Sequence, residues 1–299
     1  MVSVMIQPGL CAFPLTPMRD ESVDDAALAT LVSRLVAGGV DSVGVLGSTG
    51  VCAYLSRDER RAAIDAAVSA AGEMPVIAGV GALRTRDVLT YVEDAQAAGA
   101  SALLVAPVSY HRLRQEEVFG LYADVASSSS VPVVVYENPS TTAFTFTDEL
   151  YARIAQLPSI AGVKIPPPAP GTAADRVAHL RELLPADATI GVSGDWAAAE
   201  ALTSGCHAWY SVLAGLFPRT ARALADAAAA GDADAAHQHS STLDPIWSLF
   251  KEHGSLRVMA AAAEALGLVD APCLPRPLLA LDEHYRPAVE DALRRTGLI

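Results

Sequence analysis

The sequence predicts an α/β chain folded as a (β/α)8 TIM barrel with a C-terminal helical extension. Three observations lead to that class. Short β-rich runs alternate strictly with amphipathic helical stretches, about thirty residues apart. There are eight such runs, the number that closes a parallel sheet into a barrel, and 299 residues are enough to build one. Beyond about residue 220 the pattern turns helical only. A doubly wound open sheet would want a glycine-rich phosphate turn after its first strand, and "AFPLTP" (12–17) is not one.

The expected strands are "GLCAF" (9–13), "DSVGVLG" (41–47), "PVIAGV" (75–80), "ALLVAP" (102–107), "PVVVYE" (132–137), "IAGVKI" (160–165), "TIGVSG" (189–194) and "AWYSVLA" (208–214). The first intervening helix is expected over 24–39, where apolar residues recur three and four apart and glycine ends the run. The next, over 56–72, opens with Ser56 three residues before Glu59, the pattern of a capping box. The Ala-rich stretch "ADAAAAGDADAAHQHSST" keeps helical spacing, so it reads as helix and not as linker. The division follows: a barrel over 1–222 and a helical extension packed on it over 223–299.

Composition narrows the function classes. With 52% hydrophobic and 18% charged residues the chain can bury a large core and is not disordered. A net charge of −13 argues against nucleic acid, and it means that any anion site must be built locally. Cys11, Cys52, Cys206 and Cys273 are scattered without a C-x-x-C pair, as in reduced thiols of a cytoplasmic protein. The opening "MVSVMIQPGL" lacks a basic leader and meets Pro-Gly early, so no signal peptide is expected. No membrane span is expected either. His237 and His239 stand two apart on an expected helix, a poor metal pair, and no zinc, P-loop or Ser-His-Asp pattern is found.

Only two of the 21 Lys and Arg residues are lysines, Lys164 and Lys251. Lys164 sits near the end of the sixth strand, where alternation puts it on the same face as Gly162. In a barrel the reacting groups come from strand C-termini, and an inward lysine loses hydration, which frees its amine as a nucleophile. The alternative is a buried lysine paired to a carboxylate, with Glu137 on the neighbouring strand as the candidate. Tyr136 ends the fifth strand, where a phenol can pass protons to a substrate held by the lysine. In "LGSTG" (46–50), Gly47 and Gly50 allow a tight turn, and Ser48 and Thr49 offer hydroxyls and N–H groups to a carboxylate.

These stretches carry a resemblance. The run from "FPLTP" (13–17) through "GSTG", "YENPS" (136–140) and "GVKIP" (162–166) to "VSGDW" (192–196) resembles the N-acetylneuraminate lyase and dihydrodipicolinate synthase family of class I aldolases. The resemblance implies a Schiff base between pyruvate, or another 2-oxo acid, and Lys164, with no metal or cofactor. It implies Tyr136 as proton shuttle, Ser48 in a hydroxyl relay with Tyr110 lent to a neighbouring subunit, and Thr49 on the substrate carboxylate. Gly47, Gly194 and Ser211 complete the implied substrate contacts. A homo-oligomer, tetramer or dimer, would follow, and the partners would be a 2-oxo acid and an aldehyde or sugar-acid second substrate.

The departures matter as much. Val51 stands where the family's turn carries a glutamate. "PVSYHRLRQEE" (107–117) puts Tyr110 at the relay position if one residue is inserted, and Ser109 if none is. Thr141 stands where dihydrodipicolinate synthases hold the second substrate with an arginine, so weak turnover of aspartate semialdehyde is expected. "VKIPPPAP" lacks the acidic residue usual after the lysine. The main reading is therefore a pyruvate-dependent class I lyase that makes or breaks a C–C bond. The alternatives are 4-hydroxy-tetrahydrodipicolinate synthase, a sugar-acid dehydratase, and a 2-oxo acid binder without turnover.

Overall fold

In the computed structural model, which describes residues 8–299, eight parallel strands close into a barrel. They are β1 (Gly9–Ala12), β2 (Ser42–Val45), β3 (Val76–Gly79), β4 (Ala102–Val105), β5 (Val133–Tyr136), β6 (Ile160–Ile165), β7 (Thr189–Val192) and β8 (Ala208–Ser211). Each pairs with the next, and β1 closes the ring by pairing with both β2 and β8. The strands are buried on both faces, which is why they read as near-continuous apolar runs in the sequence. The signal-peptide expectation rests on residues 1–10, of which 1–7 lie outside the described residues. Among the described residues no helix is long and apolar enough to cross a membrane.

The helices start where the sequence places their caps. Asp24 accepts from the Ala27 N–H at 3.0 Å and opens the helix Asp25–Ala37. The Ser56–Glu59 capping box forms in both directions ahead of Arg57–Ala71. Most strands stop one or two residues short of expectation, and two boundaries differ further. The eighth strand stops at Ser211, because the chain turns at once through Leu213–Gly215 instead of running on to residue 214. The expected division at 222/223 falls inside the helix Pro218–Ala229, which packs against β1. The helices that follow, Ala233–Thr242, Asp244–His253, Ser255–Ala265 and Arg286–Arg295, form the extension.

Two apolar layers divide the core. The larger lies between strands and helices, and a smaller one fills the barrel with Cys11, Phe13, Leu104, Val134, Tyr136 and Tyr210 among others. Three glycines, two in strands and Gly47 just past β2, make room for the rings of this inner layer. A Cβ on Gly44 would meet Phe13 Cζ at 2.2 Å, one on Gly47 would meet Phe13 Cε1 at 2.9 Å, and one on Gly191 would meet Tyr210 Cε2 at 2.3 Å. Overpacking a closed barrel leaves a rigid ring nowhere to go, so Gly191→Ala is expected to destabilise the fold by about 1–3 kcal/mol. The midpoint of urea unfolding measures this, and an unchanged midpoint would mean that the Tyr210 ring swings aside freely.

Candidate active site

The register of β5 on β6 sets the centre of the site. A shift between Val133 and Val134 brings Tyr136 opposite Lys164, so the last inward residues of two adjacent strands stand side by side. Lys164 is 5% exposed, and its Nζ lies 4.1 Å from the ring centroid of Tyr136, 4.2 Å from that of Phe13 and 5.2 Å from that of Tyr210. The amine is thus enclosed by three aromatic faces. Glu137, the carboxylate considered as its partner, is engaged elsewhere. It points to the outer side of the strand, where it accepts from the Phe146 N–H at 3.0 Å and the Tyr151 hydroxyl at 2.6 Å. Burial and the adjacent Glu137 charge hold the Tyr151 phenol well above its ordinary pKa, so it stays a donor.

The Tyr136 hydroxyl opens a polar relay. It lies 3.2 Å from Ser48 Oγ, and Asn138 Nδ2 donates to Tyr136 Oη at 2.9 Å and to Ser48 Oγ at 3.3 Å. Ser140 Oγ donates to Asn138 Oδ1 at 2.6 Å, which fixes which end of the amide faces the phenol. A cavity of about 550 Å³ opens beside this relay, lined by Gly47, Ser48, Thr49, Tyr136 and Asn138, and further out by Thr141. Lys164 is not among its lining residues and meets the cavity through the Tyr136 ring.

Four of the expected site residues, Gly47, Ser48, Thr49 and Tyr136, therefore meet at one cavity, with Lys164 behind them. The other three do not join them. Tyr110 is 89% exposed, packs edge-on against His111 at 5.3 Å, and is not among the residues that line the cavity. Its neighbour Ser109 turns its hydroxyl back to the His111 carbonyl. Gly194 is covered by the proline-rich loop: a Cβ there would meet Pro167 Cβ at 2.8 Å. Ser211 is fully buried; its Oγ donates to Asp195 Oδ1 at 2.6 Å and accepts from the Ala214 N–H, so its hydroxyl is spent inside the protein. Asp195 itself is pushed up to about 6 by burial, against the opposing hydrogen bonds from Ser211 and Val212. Phe13, Tyr210 and Asn138 belong to the site and were not expected from the sequence. An Asn directly before the Pro of "ENPS" was the available signal for the last.

The geometry can now be set beside known proteins. The sequence model of the dihydrodipicolinate synthetase family matches residues 7–296. The chain belongs to that family. Its members are lyases of the class I, Schiff-base type, and so is this chain. Among curated relatives, the 4-hydroxy-tetrahydrodipicolinate synthase of Alcanivorax borkumensis is 32% identical over 298 residues, covering 99% of both chains. Among solved structures, a dihydrodipicolinate synthase from Agrobacterium tumefaciens is 48% identical, with a TM-score of 0.94 over 97% of this chain and 98% of that one. The chloride-inhibited dihydrodipicolinate synthase of Acinetobacter baumannii, solved in complex with pyruvate, is 28% identical, with a TM-score of 0.90 over 98% of this chain and 100% of that one. These likenesses favour the synthase, given from the sequence as an alternative, over the less specific main reading.

Proposed function

We propose that Lys164 forms the Schiff base of a pyruvate-dependent lyase, with Tyr136 moving the protons. The observation that carries this is the Lys164 amine enclosed by aromatic rings, one of which bears the hydroxyl of the Tyr136–Ser48–Asn138 relay. The neutral amine attacks the ketone carbon of pyruvate, and water leaves to give a protonated iminium. Loss of a methyl proton then sends an electron pair toward nitrogen and gives an enamine, which attacks an aldehyde to form the new C–C bond. Tyr136 gives and takes protons through these steps, Ser48 and Asn138 hold its hydroxyl, and Thr49 with the Gly47–Thr49 backbone receives the carboxylate. Gly194 and Ser211 shape the site from beneath, through the Pro167 loop and Asp195. Tyr110, exposed on its own subunit, is offered to a neighbour's relay in a homo-oligomer, a tetramer or a dimer. The barrel carries this chemistry, and the division from the extension lies after Ala229. The four unpaired cysteines support a cytoplasmic enzyme.

For the second substrate, the relatives' name supports aspartate semialdehyde. The cavity favours a second reading, an aldehyde without a carboxylate. Among the described residues that line it none is Lys or Arg, and Thr141 stands where a cation would be. A bidentate arginine on a carboxylate is worth tenfold or more in affinity. Without one, kcat/KM for aspartate semialdehyde is expected to exceed that for an uncharged aldehyde of equal length by less than about tenfold. A panel of aldehydes assayed with pyruvate measures the ratio. A preference above about a hundredfold would mean that a cation holds the carboxylate after all.

A further inference from the structure

Arg60 looks like a solvent-facing residue in "SRDERRAA", yet it is 4% exposed. Its guanidinium bonds only carbonyl oxygens: Nη2 donates to Cys52 at 2.5 Å, Nη1 to Gly81 at 3.1 Å and Nε to Leu55 at 3.4 Å. The Tyr91 ring covers it at 4.2 Å. Among the described residues no carboxylate lies within ion-pairing distance, 4.0 Å, of this group. A guanidinium cannot shed its proton, so a buried one persists only where its donors are satisfied.

The three carbonyls belong to segments that frame the cavity. Cys52 and Gly81 line it together with Ser48 and Thr49, and Leu55 ends the turn that begins at Leu46. That turn is strained at both ends of its tip, since Leu46 has φ +57° and the β-branched Val51 has φ +47°. Non-glycine residues in this region cost on the order of 1 kcal/mol or more each and hold it only where their surroundings over-determine the backbone. The tip has little slack: a Cβ on Gly50 would meet Leu46 N at 2.7 Å. One planar fork that clamps Cys52 and Leu55 to the loop after β3, at Gly81, supplies the constraint.

We propose that Arg60 is a positioning residue of the active site, holding the strained 46–55 turn so that Ser48 stays in register with the Tyr136 hydroxyl. The inference rests on the Schiff-base reading of Lys164 and extends it to a residue that touches no substrate. Lysine cannot replace the group, because a single ammonium does not span three diverging carbonyls.

The test separates positioning from folding. With pyruvate alone in D2O, the enzyme exchanges the methyl protons of pyruvate for deuterons through the enamine, and NMR follows the rate. Borohydride trapping of pyruvate at Lys164 reports Schiff-base formation separately. Arg60→Gln is expected to slow exchange by about ten- to a hundredfold while trapping stays within about threefold of wild type. Arg60→Lys is expected to show the same split, so the result does not hang on one variant folding. Ethylguanidinium at millimolar concentration should restore exchange in Arg60→Ala, where ammonium at equal strength does not. Exchange at the wild-type rate, or exchange and trapping that fall together with the folded fraction, would overturn the role. Absence of trapping in the wild type would instead remove the Schiff-base reading beneath it.

Discussion

Replacing Lys164 by methionine is expected to abolish turnover, by about 10⁴-fold or more, while leaving the fold at least as stable. The two halves have separate causes. The amine is the nucleophile; Lys251, the only other lysine, is exposed with its Nζ 5.7 Å from the Trp196 ring and is not among the residues that line the cavity. A polar amine is also costly where it stands, 5% exposed and enclosed by ring faces. Methionine matches its length and is apolar, so the replacement relieves desolvation without orphaning a hydrogen-bond partner. A lysine kept for structure would behave in the opposite way, with activity retained and the thermal midpoint lowered. Turnover with pyruvate and a thermal unfolding curve on the same preparation decide between them.

Tyr136→Phe is expected to cost about 10²–10⁴-fold in turnover, the range for a lost general acid–base group. The ring stays, so the aromatic contact to Lys164 at 4.1 Å and the cavity wall stay with it. What goes is the hydroxyl that meets Ser48 and accepts from Asn138. Pyruvate should still be trapped on Lys164 over a long incubation, because losing one proton shuttle slows addition of the amine without preventing it. The loss should fall on kcat and kcat/KM together, as for an interaction made only in the transition state. A change in KM alone would make Tyr136 a binding residue and leave the proton shuttle to be found elsewhere.

The sequence made the barrel legible because parallel strands buried on both faces have to be apolar along their whole length, and turn residues punctuate them. Lys164 and Tyr136 were legible as polar groups at the ends of such runs, which is where barrel chemistry collects. The residues that stayed hidden act through non-local contacts. Phe13 and Tyr210 come from the first and last strands and reach Lys164 only after closure, and nothing in "CAFPL" or "AWYSV" announces a ring against an amine. Arg60 was hidden for a related reason: its helix reads as charged and exposed, and only non-local neighbours such as the loop after β3, at Gly81, make the position interior. Ser211 misled in the other direction. A serine on the eighth strand suggests a substrate contact, but the buried Asp195 claims its hydroxyl. Strand length erred at the eighth strand, where apolar Val212 and Leu213 continue the pattern after the backbone has turned.

The most direct test of the account is covalent. Incubation with pyruvate and sodium borohydride, followed by peptide mass spectrometry, should locate a reduced pyruvyl group on Lys164. With Lys251 the only other lysine in the chain, the assignment is unambiguous. An adduct on Lys164 that is absent in the Lys164→Met protein is the expected result. An adduct on Lys251 alone, or none with any 2-oxo acid while the enzyme turns over, would contradict it.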